Sequence, residues 1–125
     1  MKLFDCTLYY DEDLILETRL NILDKYFDKF IICEAKYTHS GRKKKLNFNI
    51  NKFSEFKDKI IYLVDDREPE GIIYENNDGK KIENPKNWRA NAVKRIAKQR
   101  NKLLESINQL ADENDFIFYS DNDEI

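Results

Sequence analysis

Residues 3–35 read LFDCTLYYDEDLILETRLNILDKYFDKFIICEA, and this stretch decides the fold. Leu3 to Tyr10 is apolar and aromatic and is bounded by Asp11-Glu12-Asp13, the pattern of a buried strand. Asp11 or Asp13 can cap a helix running to about Tyr26, with Glu17 in an early turn. Its apolar residues Leu16, Leu20, Leu23 and Phe27 step by four, three and four, which lays them on one helical face. Phe30 to Ala35 is a short continuous apolar run, as expected of a strand covered on both sides. Strand, helix and strand in so few residues form a βαβ unit with parallel strands.

Working outward, Ile60 to Val64 repeats the strand signal. Between it and Ala35 lie the polar turn Thr38-His39-Ser40-Gly41, a basic stretch and a short helix expected near Lys52–Phe56. The connection from Asp65 to Asn87 is long. Ile72-Ile73-Tyr74 and Lys81-Ile82 flank Asn77-Asp78-Gly79 within it and predict a small hairpin. Trp88 to about Ala111 predicts the longest helix, with Trp88, Ala92, Ile96, Leu103, Ile107 and Leu110 as its apolar stripe. Asp115 to Ser120 is read as a fourth, buried strand. Four strands alternating with helices predict an α/β half-Rossmann sheet ordered 3-2-1-4. Ligands of such sheets bind at the carboxyl ends of the strands, beside the point where the order reverses, here between strands one and four. Those ends carry Tyr9 to Asp13, Glu34, Asp65-Asp66 and Asp121 to Asp123, an acidic rim.

The chain has 125 residues, about one domain's worth, and 41% hydrophobic residues supply a core. Formal charge is −2, which argues against wholesale nucleic-acid binding. The balance hides an asymmetry. Lys86, Arg89, Lys94, Arg95, Lys98, Arg100 and Lys102 form a basic run without an acid; Asp112, Glu113, Asp115, Asp121, Asp123 and Glu124 follow without a base. No apolar run approaches the ~20 residues of a membrane span, and the first residues turn acidic too early for a secretory signal. A cytoplasmic setting is expected, with Cys6 and Cys33 as free buried thiols.

Motifs narrow the chemistry. With three glycines the chain assembles neither GxGxxG nor a P-loop, so nicotinamide and P-loop nucleotide chemistry are disfavoured. HExxH and CxxC are missing, which argues against zinc. No nucleophile elbow occurs, and His39, the single histidine, reads as a loop residue. Asp121-Asn122-Asp123 is the strongest signal: two carboxylates one residue apart at a strand end can reach one Mg²⁺ or Mn²⁺, which in turn can bridge a diphosphate. Arg89, Asn91 and Arg95 near the start of the long helix read equally as a solvated face or as a phosphate or ribose clamp.

Five ordered blocks, FDCTLYYDEDLILETRLNIL, FIICEAKYTHSG, KIIYLVDD, NWRANAVKR and FIFYSDNDEI, resemble the amino-terminal half of glycosyltransferase family 17. That family includes the β-1,4-mannosyl-glycoprotein β-1,4-N-acetylglucosaminyltransferases. The resemblance runs from residue 2 to residue 125 and breaks at the loop around residues 67–85. It implies a GT-A nucleotide-sugar fold, a divalent cation (Mn²⁺ or Mg²⁺), and transfer with inversion from a nucleotide-sugar donor, expected to be a uridine-diphosphate sugar, to a glycan acceptor. Position by position, Asp121 and Asp123 match the metal-binding acids, with Glu124 the acid after them. Glu34, Asp65 and Asp66 match acids closing the second and third strands, where they would face the nucleoside. Arg89 and Asn91 match the Arg-Asn pair opening the helix, and Arg89 or Arg95 would add charge as the diphosphate leaves. The expectation is a single donor-binding unit over 1–125, without the acceptor half or the general base, inactive alone, and with no nucleic-acid partner. The alternatives are a non-catalytic nucleotide- or metal-binding module of the same fold and a nucleic-acid-binding basic helix.

Overall fold

The structure, a computed structural model, describes residues 1–73 and 84–125. Strands β1 (Leu3–Tyr9), β2 (Lys29–Ala35), β3 (Ile60–Asp65) and β4 (Phe116–Tyr119) form one parallel sheet in the order β3-β2-β1-β4. This is the expected α/β half-Rossmann order. Helix α1 (Asp13–Leu23) links β1 to β2, a 3₁₀ helix (Ile50–Phe56) precedes β3, and α2 (Pro85–Leu110) leads into β4. The expected hairpin centred on Asn77-Asp78-Gly79 lies outside the described residues.

Strand alternation sends successive side chains to opposite faces. Phe30 and Ile32 pack with Leu16 and Leu20 of α1 and with Phe53 and Phe56 of the 3₁₀ helix. Ile31 and Cys33 pack with Phe4, Cys6 and the α2 residues Leu103 and Ile107. β2 is therefore buried on both faces, which explains its unbroken apolar run. Cys6 and Cys33 are free thiols inside the second of these clusters.

Three local expectations need correction. α1 stops at Leu23, short of Tyr26. Asp28 is drawn to β1 instead, its amide donating to the Leu3 carbonyl at 2.9 Å and its Oδ2 accepting from the Leu3 amide at 2.8 Å. Neither Asp11 nor Asp13 caps α1: Glu12 occupies the cap position, with no side-chain cap bond. β4 is not buried; all four of its residues are exposed, because among the described residues it pairs only with β1.

α2 begins three residues before Trp88, where the Asn84 side chain accepts from the Lys86 amide at 2.9 Å and Pro85 takes the first helical position. Its 26 residues make it about 39 Å long, longer than the strands it covers. Gln99 reaches the Cys33 carbonyl near the end of β2, at 3.3 Å. The residues before it project past the sheet onto the loops at its carboxyl edge. Trp88 and Leu110 are 45% and 43% exposed, whereas Asn91, Arg95 and Gln99 are buried on the same helix. Among the described residues no helix is long and apolar enough to cross a membrane.

Candidate functional site

A cleft of about 420 Å³ opens at the carboxyl edge of the sheet, at the reversal between β1 and β4. Tyr9, Tyr10 and Glu12 come to it from the end of β1, Ala35, Tyr37 and His39 from the end of β2, Asp121, Asn122 and Asp123 from the end of β4, and Ile96, Gln99 and Arg100 from α2. A second depression shares Ala35, Tyr37, His39 and Gln99 with it and adds Asp65, Glu68 and Arg95. The two form one groove along the rim.

Asp121 and Asp123 are exposed on this cleft, and the Asn122 between them is buried. Asn122 Nδ2 lies 3.4 Å from Glu12 Oε2, and Asn122 Oδ1 has no hydrogen-bond partner among the described residues. Two solvent-facing carboxylates supply hard oxygen ligands of the kind Mg²⁺ and Mn²⁺ prefer. No group of three or more His, Cys, Asp or Glu that could hold a metal occurs among the described residues. The pair fits a cation that takes its remaining ligands from water and phosphate oxygens, the usual habit of Mg²⁺.

The turn carrying these acids is built on Arg19. This side chain is 2% exposed, and its Nε and Nη2 donate to the two carboxylate oxygens of Asp5 at 2.8 and 2.6 Å. Nη2 also donates to Ser120 Oγ at 2.6 Å, while Nη1 donates to the carbonyls of Asp121 at 2.9 Å and Glu124 at 3.0 Å. Sequence reading missed this pair. The signals were a carboxylate in mid-strand, Asp5, and an arginine beside Leu16 and Leu20 on the apolar face of the next helix.

Glu34 is fully buried and its carboxylate is filled by the protein. Lys44 Nζ and the Asn47 amide donate to Oε2, each at 2.6 Å, and the Phe48 amide and Tyr62 hydroxyl donate to Oε1 at 3.0 and 2.7 Å. Glu34 thereby holds the segment after β2 against the sheet and places Lys44 on the cleft. The Tyr62 hydroxyl is pushed above the ordinary tyrosine range by burial and by this bond. Asp65 is buried against Lys98, and Asp66 is exposed in a separate polar depression with Lys98 and Lys102.

The basic run of α2 divides. Arg95 Nε donates to Glu68 Oε1 at 2.9 Å and Nη1 to the His39 carbonyl at 3.0 Å. Lys94 donates to the Gly71 carbonyl and Lys98 to Asp65. Much of the run thus serves the chain's own loops. Asn91 binds the backbone of Ile73. Arg89 is exposed beside Pro85, Lys86 and Val93, away from the residues that line the cleft. The cation that faces Asp121 and Asp123 from α2 is Arg100, whose guanidinium carbon sits 5.5 Å from the Tyr119 ring centre. Arg100 and Lys44 were missed because neither lies in a motif; only the fold brings them to the acids.

The model of glycosyltransferase family 17 matches residues 1–125, the whole chain. Searches of curated proteins and of solved structures returned no match. By class the protein is a glycosyltransferase, with a sugar donor and an acceptor as its partners. The chain belongs to glycosyltransferase family 17.

Proposed function

We propose that residues 1–125 form the donor-binding part of a GT-A-type, divalent-metal-dependent, inverting glycosyltransferase. The reading gives it a nucleotide-sugar, a uridine-diphosphate sugar first among candidates, and transfer of N-acetylglucosamine or a related sugar to a glycan. The observation that carries the reading is the convergence of Asp121 and Asp123 with Arg100 and Lys44 on one cleft at the switch point of a parallel sheet. Asp121 and Asp123 would hold Mn²⁺ or Mg²⁺. When bound, the cation supplies Lewis-acid stabilisation of the departing diphosphate.

Arg100 adds positive charge where the nucleoside diphosphate gathers negative charge as the bond to the sugar breaks, while Lys44, paired with Glu34, lines the same cleft. The arm of the groove lined by Tyr37, Asp65 and Arg95 suits the nucleoside, with an aromatic ring beside polar groups. Glu34 and Asn91, matched to ligand-facing residues by resemblance, act here by holding the walls of that groove. Calorimetric titration of the protein with Mn²⁺ and UDP-N-acetylglucosamine tests the reading. Binding of the nucleotide sugar should require Mn²⁺ and be lost in the Asp121→Asn, Asp123→Asn double variant. Metal-independent binding that survives the double substitution refutes it.

A further inference from the structure

Arg19 is the largest fully buried side chain among the described residues. Its five N–H donors meet two oxygens of Asp5, one of Ser120, and the main-chain carbonyls of Asp121 and Glu124, with the Asn122 carbonyl a longer sixth acceptor at 3.5 Å. The turn reinforces itself above the guanidinium. Ser120 Oγ donates to the Glu124 carbonyl at 3.2 Å, and the Glu124 amide donates to the Asp121 carbonyl at 3.0 Å. Thr7 of β1 adds a hydroxyl bond to the Ser120 carbonyl at 3.1 Å. The outcome is a turn whose backbone is fastened from below, while Asp121 and Asp123 stay exposed on the cleft above.

A buried ion pair is a weak device for stability, because desolvation offsets its attraction and a well-packed apolar pair often does as well. What an apolar pair cannot do is aim hydrogen bonds at Ser120, Asp121 and Glu124 of one turn while being held by a carboxylate of the adjacent strand. A lysine cannot either, since it presents three donors from one point rather than a planar fork. We propose that Arg19, oriented by Asp5, is the positioning residue of the metal-binding turn. It fixes the spacing and direction of the Asp121 and Asp123 carboxylates without touching the cation, as outer-shell groups do in other metal sites. This inference rests on the metal reading proposed above for the same acids.

The test compares the protein with an Arg19→Met, Asp5→Leu double variant, which keeps the buried volume and removes both charges. Circular dichroism and melting establish that the variant is folded; should it not fold, Arg19→Lys is taken through the same measurements. Two readouts follow. In the metal-free protein, amide hydrogen exchange across Ser120–Glu124 should accelerate by about tenfold or more, while the Phe30–Cys33 amides of the central strand remain protected. Mn²⁺ affinity, read by electron paramagnetic resonance, should fall by about 10- to 100-fold, the usual effect of losing an outer-shell partner. Unchanged exchange in the turn overturns the clamp. Faster exchange with wild-type Mn²⁺ affinity overturns the positioning role. The Asp121→Asn, Asp123→Asn variant separates the two claims. If it too binds Mn²⁺ as the wild type does, the metal reading falls and the positioning role with it; if it alone loses Mn²⁺, only the positioning role falls.

Discussion

The Asn91 carboxamide engages the backbone of Ile73 in both directions: Nδ2 donates to the Ile73 carbonyl, and the Ile73 amide donates to Oδ1, each at 2.8 Å. Asn91 has no exposed surface. A residue of α2 thereby replaces the neighbouring strand that would otherwise satisfy this stretch of the loop after β3. Ile73 itself is 37% exposed, so Asn91→Ala removes two hydrogen bonds to main-chain groups that water can reach, at about 0.5–1.5 kcal/mol each. Urea denaturation should show that loss, and an unchanged midpoint would mean that the loop does not depend on Asn91.

Gly41 sits under the Arg95 guanidinium with φ of +93°. A Cβ added there would lie 2.7 Å from Arg95 Cζ, and the backbone conformation is one that side chains disfavour. Gly71 has φ of +80° but meets nothing closer than Lys94 Nζ at 3.6 Å. Gly71→Ala should therefore carry the backbone strain alone, about 1 kcal/mol or more, and Gly41→Ala should exceed it by displacing Arg95 from Glu68 and His39. Paired thermal melts check the order, and equal losses would show that Arg95 moves aside freely.

Alkaline pH should unfold this protein through groups its core keeps protonated. Burial, aided by Asp5, pushes the Cys6 thiol from an ordinary 9.0 up to about 12. Burial, aided by Asp65, does the same for Cys33, also to about 12. Tyr9 and Tyr62 shift upward too, by burial and by their bonds to Asp13 and Glu34. A raised folded-state pKa contributes stability in full below the unfolded value and loses it as pH rises toward the folded value. Stability should thus be flat to pH 9 as far as the thiols are concerned. Above it, each thiol removes up to about 1.4 kcal/mol per pH unit. Denaturant midpoints at pH 8, 9.5 and 10.5 measure the slope, and Cys6→Ala with Cys33→Ala should flatten it.

The strand order was legible because alternating strands and helices in a short chain leave few unknotted parallel arrangements. The acids of the cleft were legible too, since strand ends in such a sheet share one edge. Their partners were not. Arg19 meets Glu124 across 105 positions, and Arg95 meets His39 across 56, distances over which periodicity says nothing. Hydropathy also misread α2. It favoured Trp88 and Leu110 over Asn91, Arg95 and Gln99, because it assumes a helix packs on an apolar surface along its whole length. The first turns of α2 pack on loops, whose free backbone groups call for hydrogen-bonding side chains. β4 shows the converse: Phe116 to Tyr119 is as apolar as a central strand yet lies exposed at the edge.

The last prediction sets Arg100 against Arg89. Arg89 lies in the second turn of α2, exposed and beside Pro85, Lys86, Ala90 and Val93. Arg100 lies eleven residues further along, about 16 Å by helical rise. It lines the cleft with Asp121 and Asp123, with Tyr119 beneath its guanidinium carbon at 5.5 Å. A guanidinium held over an aromatic ring can still pair with a planar or tetrahedral anion. If a diphosphate occupies the cleft, Arg100→Ala removes a charge-assisted hydrogen bond and should weaken uridine-diphosphate binding by about 1.5–3 kcal/mol. Arg100→Lys should recover only part of this, because an ammonium is a point charge without the planar fork of donors that pairs bidentately with an anion. Arg89→Ala should change the affinity by less than about 0.5 kcal/mol, as expected of an exposed charge at a distance. Calorimetry in the presence of Mn²⁺ ranks the three variants. Were Arg89→Ala the damaging one, the diphosphate would lie out over the start of α2, and the cleft at the β1–β4 reversal would not be its seat.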